Sequence, residues 1–433
     1  MSPRLETIRT KGLGDSTFVL SHEGSAVVVD PQRDFDRVTD VLERLGADPR
    51  AILETHIHND YVSGGLMLAK ASGAELVMPA GSAPVFRHRA AFHMEDIEAG
   101  SLTIRPIHTP GHTPEHISYL VLIDGKAHAV FSGGSLLVQS AGRSDLLGHD
   151  RAETLARLQF HSVNRLAVLP GDVILCPTHG AGSFCVSSAA GGAVSTIGQE
   201  VETNPVLAHV DEETFVKAQL ADLVPFPAYY RHMAPANLTG SESLPTFRPP
   251  HLTDGEFDSL DIDVVVVDAR PAEEFASGHL PGSLGIGGRS DFGVWTGWVV
   301  PFDSPIVLVA NPDQDTEDLT RQLARIGFDR VVGVIRDLDQ WARPLTSYPT
   351  VGVDEFADSA MTGGQILDAR APNEWEDGVI PGSILSYAPD VASEGIPDAE
   401  RPVFVACETG YRATIAASRI EAMGLAPVVL TGA

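Results

Sequence analysis

The loop at residues 55–61, which reads THIHNDY, carries three potential metal ligands within five positions: His56, His58 and Asp60. It follows a short apolar run and precedes residues 62–70, whose small and apolar side chains recur at helical spacing, so a strand-to-helix loop is predicted. Imidazoles two positions apart in extended backbone point the same way, and such a cluster is typical of a metal site. The alternative, ordinary loop histidines with Asp60 capping the next helix, is disfavoured because further histidine-bearing loops follow.

Two later loops add histidines to this group. Residues 109–116, TPGHTPEH, contain His112 and His116, and residues 177–180, PTHG, contain His179. Each loop lies beside a predicted strand, and a layered fold would bring such loops to one edge of its sheets. The sequence therefore predicts that the histidine loops share one metal site.

The composition limits the class of protein. With 433 residues, 43% of them hydrophobic and 20% charged, the chain should form two or three folded domains. Its formal net charge of -28 disfavours binding to nucleic acid and to anionic membranes. No apolar run approaches the ~20 residues of a membrane span, and the N-terminus lacks a signal-peptide core. A cytoplasmic location is expected.

Three cysteines, Cys176, Cys185 and Cys407, are too few for a disulfide framework and fit a reducing compartment. Cys176 and Cys185 flank His179, but neither has the close C-x-x-C spacing of a metal site. Roles in the core or in supporting the site are therefore favoured for these two over metal ligation.

Predicted strands and helices alternate through the first half of the chain, which is typical of an α/β fold. Residues 225–237 are predicted to be irregular, and Pro245, Pro249 and Pro250 indicate a domain boundary. The predicted elements are a strand at 25–31, a helix at 34–45 closed by Gly46, strands at 51–54 and 75–78, a hairpin at 117–131, a helix at 149–169 and a helical stretch at 206–223.

The sequence repeats itself after the prolines. The segment VVVVDARPAEEF at residues 264–275 is similar to ILDARAPNEW at residues 366–375. Likewise, HLPGS at 279–283 is similar to VIPGS at 379–383. Such duplication indicates two copies of one module. In the second copy a strand leads into the loop CETGYR, which begins at Cys407, whereas the first copy has no cysteine at the corresponding place.

The ordered motifs THIHND and TPGHT resemble those of the metallo-β-lactamase superfamily over about residues 1–240. The duplicated segments resemble rhodanese domains over about residues 250–433. The resemblance implies an α/β protein in which a metallo-β-lactamase αββα sandwich (1–240) precedes two rhodanese-like α/β domains. The first (250–345) should be inactive, and the second (350–433) should carry the Cys407 loop.

In a rhodanese-like loop, backbone amides and the N-terminus of the following helix stabilise a cysteine thiolate or persulfide. Cys407 is therefore the predicted nucleophile, with Arg412 as a nearby cation. The alternative, that Cys407 is a buried small hydrophobic residue at a strand end, is disfavoured by the Gly410 and Arg412 that complete the C-x-x-G-x-R pattern.

The whole arrangement is similar to the multidomain persulfide dioxygenases of bacterial sulfide detoxification. That family holds one iron on two histidines and an aspartate, and the histidines map onto His56 and His112. The aspartate position falls on Gly134, and Tyr61 replaces the last histidine of the superfamily's T-H-x-H-x-D-H. A two-metal hydrolase site would thus lose two ligands.

The ligands that remain are His56, His58 and His112, with Asp60 and His179 close enough to contribute. They predict one metal ion per N-terminal domain, with iron favoured over zinc. We also expect Gly134→Asp to strengthen metal binding by restoring the family's carboxylate.

The leading functional hypothesis is an oxidoreductase that oxidises low-molecular-weight thiol persulfides, coupled to sulfur transfer at Cys407. The expected substrates are such a persulfide or thiosulfate. No nucleic acid or membrane partner is expected. The sequence leaves open whether the chain forms a homo-oligomer. Two alternatives remain: a thioester hydrolase resembling hydroxyacylglutathione hydrolases, and a sulfur carrier or sensor with a vestigial metal domain.

Overall fold

The computed structural model describes residues 2–187, 190–221, 223–241, 243–338, 341–362, 365–391 and 401–431. The chain divides into two compact units. The first comprises Met1–Leu244 with Ala324–Gly327, and the second comprises Pro245–Leu323 with Phe328–Ala433. Within the described residues, no helix is both long and apolar enough to cross a bilayer.

Two six-stranded sheets form the centre of the first unit. Their orders are β1-β2-β3-β4-β5-β6 and β14-β13-β10-β9-β8-β7, and β11 and β12 form a separate hairpin. The strands are β1 Arg4–Thr10, β2 Asp15–His22, β3 Ser25–Val29, β4 Asp48–Leu53, β5 Glu75–Pro79, β6 Arg89–Ala91, β7 Ile97–Ala99, β8 Leu102–His108, β9 Ile117–Ile123, β10 Lys126–Gly133, β11 Leu136–Leu137, β12 Ser140–Ala141, β13 Ile174–Pro177 and β14 Ser195–Thr196.

Helices cover the outer faces of both sheets. They are α1 Asp36–Leu45, α2 Gly65–Ser72, α3 His149–Ala167, α4 Ile197–Thr203, α5 Glu212–Gln219 and α6 Tyr230–Thr239, with a 3-10 turn at Pro205–Ala208. One apolar core, including Phe18, Leu53 and Phe131, lies between the sheets. Separate cores join α1 and α2 to the first sheet and α3 and α5 to the second. These four layers are the αββα sandwich that the sequence predicted.

The turn chemistry of this unit follows the sequence closely. The hairpin between β9 and β10 turns at Asp124 and Gly125, both with positive φ, as a two-residue hairpin loop requires. Helix α1 ends at Gly46, whose left-handed backbone accommodates the C-cap. The predicted hairpin and the predicted end of this helix are confirmed.

Two predictions between residues 206 and 240 are wrong. The stretch 206–223 is broken, because Asp211 accepts a hydrogen bond from the backbone N–H of Thr214 and begins α5 as a new helix. The region predicted to be irregular contains α6, which tolerates Pro235 because Tyr230, Met233 and Asn237 are buried on one face. Tertiary burial outweighs helix propensity at this position.

The second unit holds two parallel sheets, ordered β16-β15-β17-β18 and β19-β23-β22-β20-β21. The repeated VVVD and QILD segments are the equivalent strands β15 and β20, so the fold class predicted for this half is confirmed. Its elements are α7 Asp254–Asp258, β15 Val265–Asp268, α8 Ala272–Ser277, β16 Leu284–Gly285, α9 Phe292–Val299, β17 Ile306–Val309, α10 Thr316–Arg325, β18 Val331–Ile335, β19 Thr350–Val351, α11 Val353–Met361, β20 Gln365–Asp368, β21 Ile384–Leu385, β22 Val403–Ala406, α12 Tyr411–Ala422 and β23 Pro427–Leu430, with 3-10 turns at Pro372–Trp375 and Ala388–Asp390.

Candidate metal centre and the Cys407 loop

Three histidines meet where β4, β8 and β13 end. His56, His112 and His179 are fully buried, and one ring nitrogen of each lies within 4.8 Å of the others. The Nε2 atoms of His56 and His179 are 3.3 Å apart. Two metal bonds of ~2.1 Å at a tetrahedral angle would separate two ligand nitrogens by about 3.4 Å, so this spacing fits one ion.

The Nδ1 atom of each ring has a hydrogen-bond partner that can accept a proton from it. His112 Nδ1 donates to the carbonyl of Arg143 at 2.8 Å, and His179 Nδ1 lies 2.9 Å from an oxygen of Asp15. His56 Nδ1 lies 2.9 Å from Thr55 Oγ1, whose own hydrogen is donated to Asp30 at 2.7 Å. With the proton on Nδ1 in all three rings, each Nε2 presents a lone pair to the same point.

The ring electrostatics fit this arrangement. Burial, followed by the neighbouring imidazoles, lowers the pKa of His56 and His112 well below the usual range. Burial also lowers the pKa of His179. Among the described residues, Nε2 of His112 has no hydrogen-bond partner. Neutral rings with converging lone pairs form a donor set for a cation.

His58 lies beside this cluster but points to a different group. Its Nε2 is 3.3 Å from Asp30, 3.4 Å from Glu54 and 3.0 Å from the hydroxyl of Tyr61. Although burial opposes it, Asp30 and Glu54 raise the pKa of His58 well above its usual value. His58 is thus suited to be an imidazolium between carboxylates. The ligand set of His56, His58 and His112 stays a prediction, and the geometry favours His179 in place of His58.

Asp60 faces the far side of His179 and does not cap a helix. Its Oδ2 is 3.4 Å from His179 Nδ1, and its Oδ1 is 3.9 Å from His58 Nδ1. Burial raises the pKa of Asp60, and that of Asp15, to about 7. Helix α2 instead begins after Gly64. Asp60 therefore supports the orientation of His179 as a neighbouring carboxyl group.

In the persulfide dioxygenases that this chain resembles, the loop around Gly134 carries a carboxylate ligand. Here two histidines, His112 and His116, pack against that loop. His116 Nε2 accepts the backbone N–H of Gly134 at 2.9 Å. A Cβ atom added at Gly134 would lie 2.2 Å from Cδ2 of His112, well inside the contact distance. The structure contradicts the expectation that Gly134→Asp strengthens metal binding, because the ring of His112 occupies that space.

Several residues of the site carried no recognisable signal in the sequence. Helix α6 covers the metal loop through Tyr229, whose hydroxyl donates to the carbonyl of Asp60 at 2.9 Å, and Asn237, which donates to the carbonyls of His58 and Tyr61 at 2.9 and 2.8 Å. Asp15 and Glu54 also approach the histidines. Asp30 directly follows β3, and its positive φ of 50° is uncommon outside glycine.

Arg143 and Asp145 form a bidentate ion pair with contacts of 2.6 and 2.7 Å. It fixes the carbonyl of Arg143 that orients His112. Cys176 lies in the core between the sheets, and Cys185 is buried with its sulfur 3.9 Å from the hydroxyl of Tyr230. Burial raises the pKa of both thiols, consistent with supporting roles.

The Cys407 loop follows β22 in the second unit. Cys407 is 5% exposed, and its sulfur accepts a hydrogen bond from the backbone N–H of Ala413 at 3.3 Å. Gly410, with a φ of 81°, turns the loop into α12. Arg412 forms a bidentate ion pair with Glu374, with one contact at 2.9 Å. The cation predicted beside the sulfur is thus already paired with a carboxylate.

The corresponding loop of the first copy is closed by its own side chains. Gln314 accepts the backbone N–H of Asn311 at 2.8 Å and donates to the carbonyl of Ala269 at 2.7 Å. Arg336 donates to the carbonyls of Pro312 and Gln314 at 2.5 and 3.1 Å. The side chains of Gln314 and Arg336 thus lie where such a loop would bind an anion, which fits the prediction that this copy is inactive.

The sandwich with its histidine loops and the duplicated parallel-sheet domains define the class. The model of the metallo-beta-lactamase superfamily matches residues 9–179, and that of the rhodanese-like domain matches residues 254–343 and 353–432. The chain belongs to the metallo-beta-lactamase superfamily and carries two rhodanese-like domains.

Particular proteins resemble different parts of it. The human mitochondrial persulfide dioxygenase ETHE1 is 29% identical over 238 residues, covering 53% of this chain and 85% of that protein. A hydroxyacylglutathione hydrolase of Xanthomonas oryzae is 32% identical over 163 residues, covering 37% of this chain and 58% of the hydrolase. A crystal structure of a metallo-beta-lactamase from Staphylococcus aureus covers 77% of this chain and 99% of its own at 26% identity, with a TM-score of 0.69.

Proposed function

We propose that the first unit oxidises a low-molecular-weight thiol persulfide with the help of one metal ion, and that Cys407 transfers sulfane sulfur. The observation that carries the metal proposal is the convergence of three Nε2 lone pairs, from His56, His112 and His179, with every Nδ1 already bonded. The similarity to a persulfide dioxygenase and the rhodanese-like domains support the sulfur chemistry.

A bound iron would supply dioxygen activation, whereas a bound zinc would supply activation of water. The protein supplies orientation: Asp15 holds His179, the carbonyl of Arg143 holds His112, and Thr55 holds His56. The loop at Gly134, against which His112 and His116 pack, supplies no carboxylate ligand. A site of three neutral imidazoles keeps the full charge of its cation, which favours an anionic sulfur substrate.

The proposed reaction balances as a dioxygenation. A persulfide R–S–SH, dioxygen and water give the thiol R–SH and sulfite with two protons. The bond between the two sulfur atoms breaks, and the two sulfur atoms together lose four electrons, all of which dioxygen accepts.

A thioester hydrolase is the second candidate, favoured by the similarity to hydroxyacylglutathione hydrolases. Two features argue against its usual two-metal mechanism. Gly134 supplies no bridging carboxylate, and Tyr61 bonds His58 at 3.0 Å, where the superfamily has a histidine ligand.

Metal analysis combined with two activity assays tests these candidates. Protein purified without added metal should contain one iron per chain and should consume oxygen and form sulfite from a thiol persulfide. Two zinc ions per chain with hydrolysis of a glutathione thioester would favour the hydrolase. Absence of metal with intact sulfur transfer would favour a carrier protein.

A further inference from the structure

The Cys407 pocket has an uncompensated negative charge at its mouth. The pocket, of about 760 Å³, is lined by Asp368, Arg370, Glu374, Asp377 and Glu408 together with apolar residues and Cys407 itself. A sulfur donor that approaches Cys407 must therefore pass these charged groups.

The two arginines near the sulfur are already committed to carboxylates. Arg370 forms a bidentate pair with Asp368, at 3.0 and 2.7 Å, and donates to the carbonyl of Gly378 at 2.7 Å. Arg412 forms its bidentate pair with Glu374. Each pair is neutral overall, so neither arginine adds an uncompensated positive charge to the pocket.

The remaining charges at the pocket are both negative. Asp377 and Glu408 are exposed, and neither has an ion-pair partner among the described residues. The neighbouring cation of the first copy, Arg289, lies over the ring of Tyr411 and pairs with Asp291 at 3.1 Å. Residues 350–433 as a whole hold 13 Asp and Glu against four Arg and no Lys. The local and the general field thus have the same sign.

We infer that Cys407 takes sulfur from the persulfide of an uncharged or cationic thiol, and that Asp377 and Glu408 exclude thiosulfate. The inference rests on the proposed sulfur transfer at Cys407. Thiosulfate is a dianion and must approach two unpaired carboxylates, whereas an amine-bearing carrier is attracted by them.

The transfer itself involves no net oxidation. The Cys407 thiolate attacks the outer sulfur of R–S–SH, a bond forms between Cys407 Sγ and that sulfur, and the bond within the donor breaks. The electron pair leaves with R–S⁻, which takes a proton from water. The backbone N–H of Ala413, 3.3 Å from the sulfur, is placed to stabilise the resulting persulfide.

The test measures the rate at which the full chain gains one sulfur atom on Cys407, by intact-mass spectrometry, from thiosulfate or from cysteamine persulfide. The parent should load faster from cysteamine persulfide. Added inert salt should raise the rate with thiosulfate and lower the rate with cysteamine persulfide, because screening weakens both repulsion and attraction.

Charge removal should change the two rates in opposite directions. The double variant Asp377→Asn with Glu408→Gln should load roughly tenfold faster from thiosulfate and more slowly from cysteamine persulfide. The matched control, Glu355→Gln with Asp358→Asn on α11, removes two exposed charges outside the pocket lining and should leave the preference as in the parent.

Three outcomes would be decisive against the inference. Equal loading of the parent from both donors, or an unchanged preference in the double variant, would overturn the charge selection while leaving sulfur transfer intact. Absence of loading from both donors would overturn sulfur transfer at Cys407, and the inference with it.

Discussion

His179 and His58 both belong to the set of histidines predicted to bind metal, but they face different groups. His179 turns its Nε2 toward His56, while His58 lies between Asp30 and Glu54. Removal of His179 takes away a proposed bond to the cation and one hydrogen bond to Asp15, whereas removal of His58 leaves both Asp30 and Glu54 without their shared partner.

We therefore expect opposite signatures from two substitutions. His179→Gln should weaken metal binding by at least about 100-fold and lower the free energy of unfolding of the metal-free protein by only about 1 kcal/mol, the cost of its hydrogen bond to Asp15. His58→Gln should keep metal affinity within about tenfold but lower the free energy of unfolding by roughly 3 kcal/mol. Chelator competition and denaturant unfolding measure the two quantities. Equal metal loss in both variants would restore His58 to the ligand set.

The space around Gly134 is too small for a side chain unless a neighbouring residue moves. Gly134→Asp should destabilise the first unit by about 1–3 kcal/mol and reduce metal binding, since its Cβ must displace the ring of His112. Thermal unfolding and metal analysis of the purified variant check both effects. Gly192→Asp is the matched control, because an added Cβ there meets nothing within 4 Å. Tighter metal binding in Gly134→Asp would show that His112 moves aside without cost.

The first turn of α12 connects the two rhodanese-like copies. The guanidinium of Arg289 lies 4.2 Å from the centre of the Tyr411 ring, and the Tyr411 hydroxyl donates to the carbonyl of Gly287 at 3.2 Å. The same turn supplies the backbone N–H of Ala413 that bonds the sulfur of Cys407. Residues of the first copy thus contact the helical turn that bonds the sulfur in the second copy.

Loss of the Tyr411 ring should loosen this turn. Tyr411→Ala should lower the free energy of unfolding of the second unit by roughly 2 kcal/mol and slow the loading of Cys407. Tyr411→Phe keeps the ring and removes one hydrogen bond, so it should cost about 1 kcal/mol and retain loading. Unfolding curves and persulfide loading distinguish the two variants. Normal loading in Tyr411→Ala would remove this role for the first copy.

The proposed chemistry is divided between the two units, with the histidine cluster in the first and Cys407 in the second. Within the second unit the copies are not interchangeable. A chain with Cys407→Ser and Asn311→Cys should show no sulfur transfer, because Gln314 and Arg336 occupy the loop that would have to stabilise a thiolate. The measurement is persulfide formation detected by mass spectrometry, with Cys407→Ser as the blank. Sulfur on the introduced cysteine would show that the first copy is inactive only through its missing nucleophile.

Local patterns were sufficient to predict much of this protein. Alternating strands and helices, the turn at Asp124 and Gly125, and the cap at Gly46 are encoded by neighbouring residues. The duplication and the absence of a cysteine near Asn311 are visible as residue types alone. The α/β alternation, the duplicated module and the pool of candidate ligands follow from such information, whereas the αββα sandwich is implied by the resemblance to the metallo-β-lactamase superfamily.

The choice among those ligands depends on contacts between residues far apart in the chain. Asp15, which orients His179, is 164 positions away from it, and Arg143 is 31 positions from His112. His56 and His58 have the same local spacing, yet one faces the histidine cluster and the other the carboxylates. Hydrogen-bond partners fix each ring's tautomer and direction, and folding alone brings those partners together.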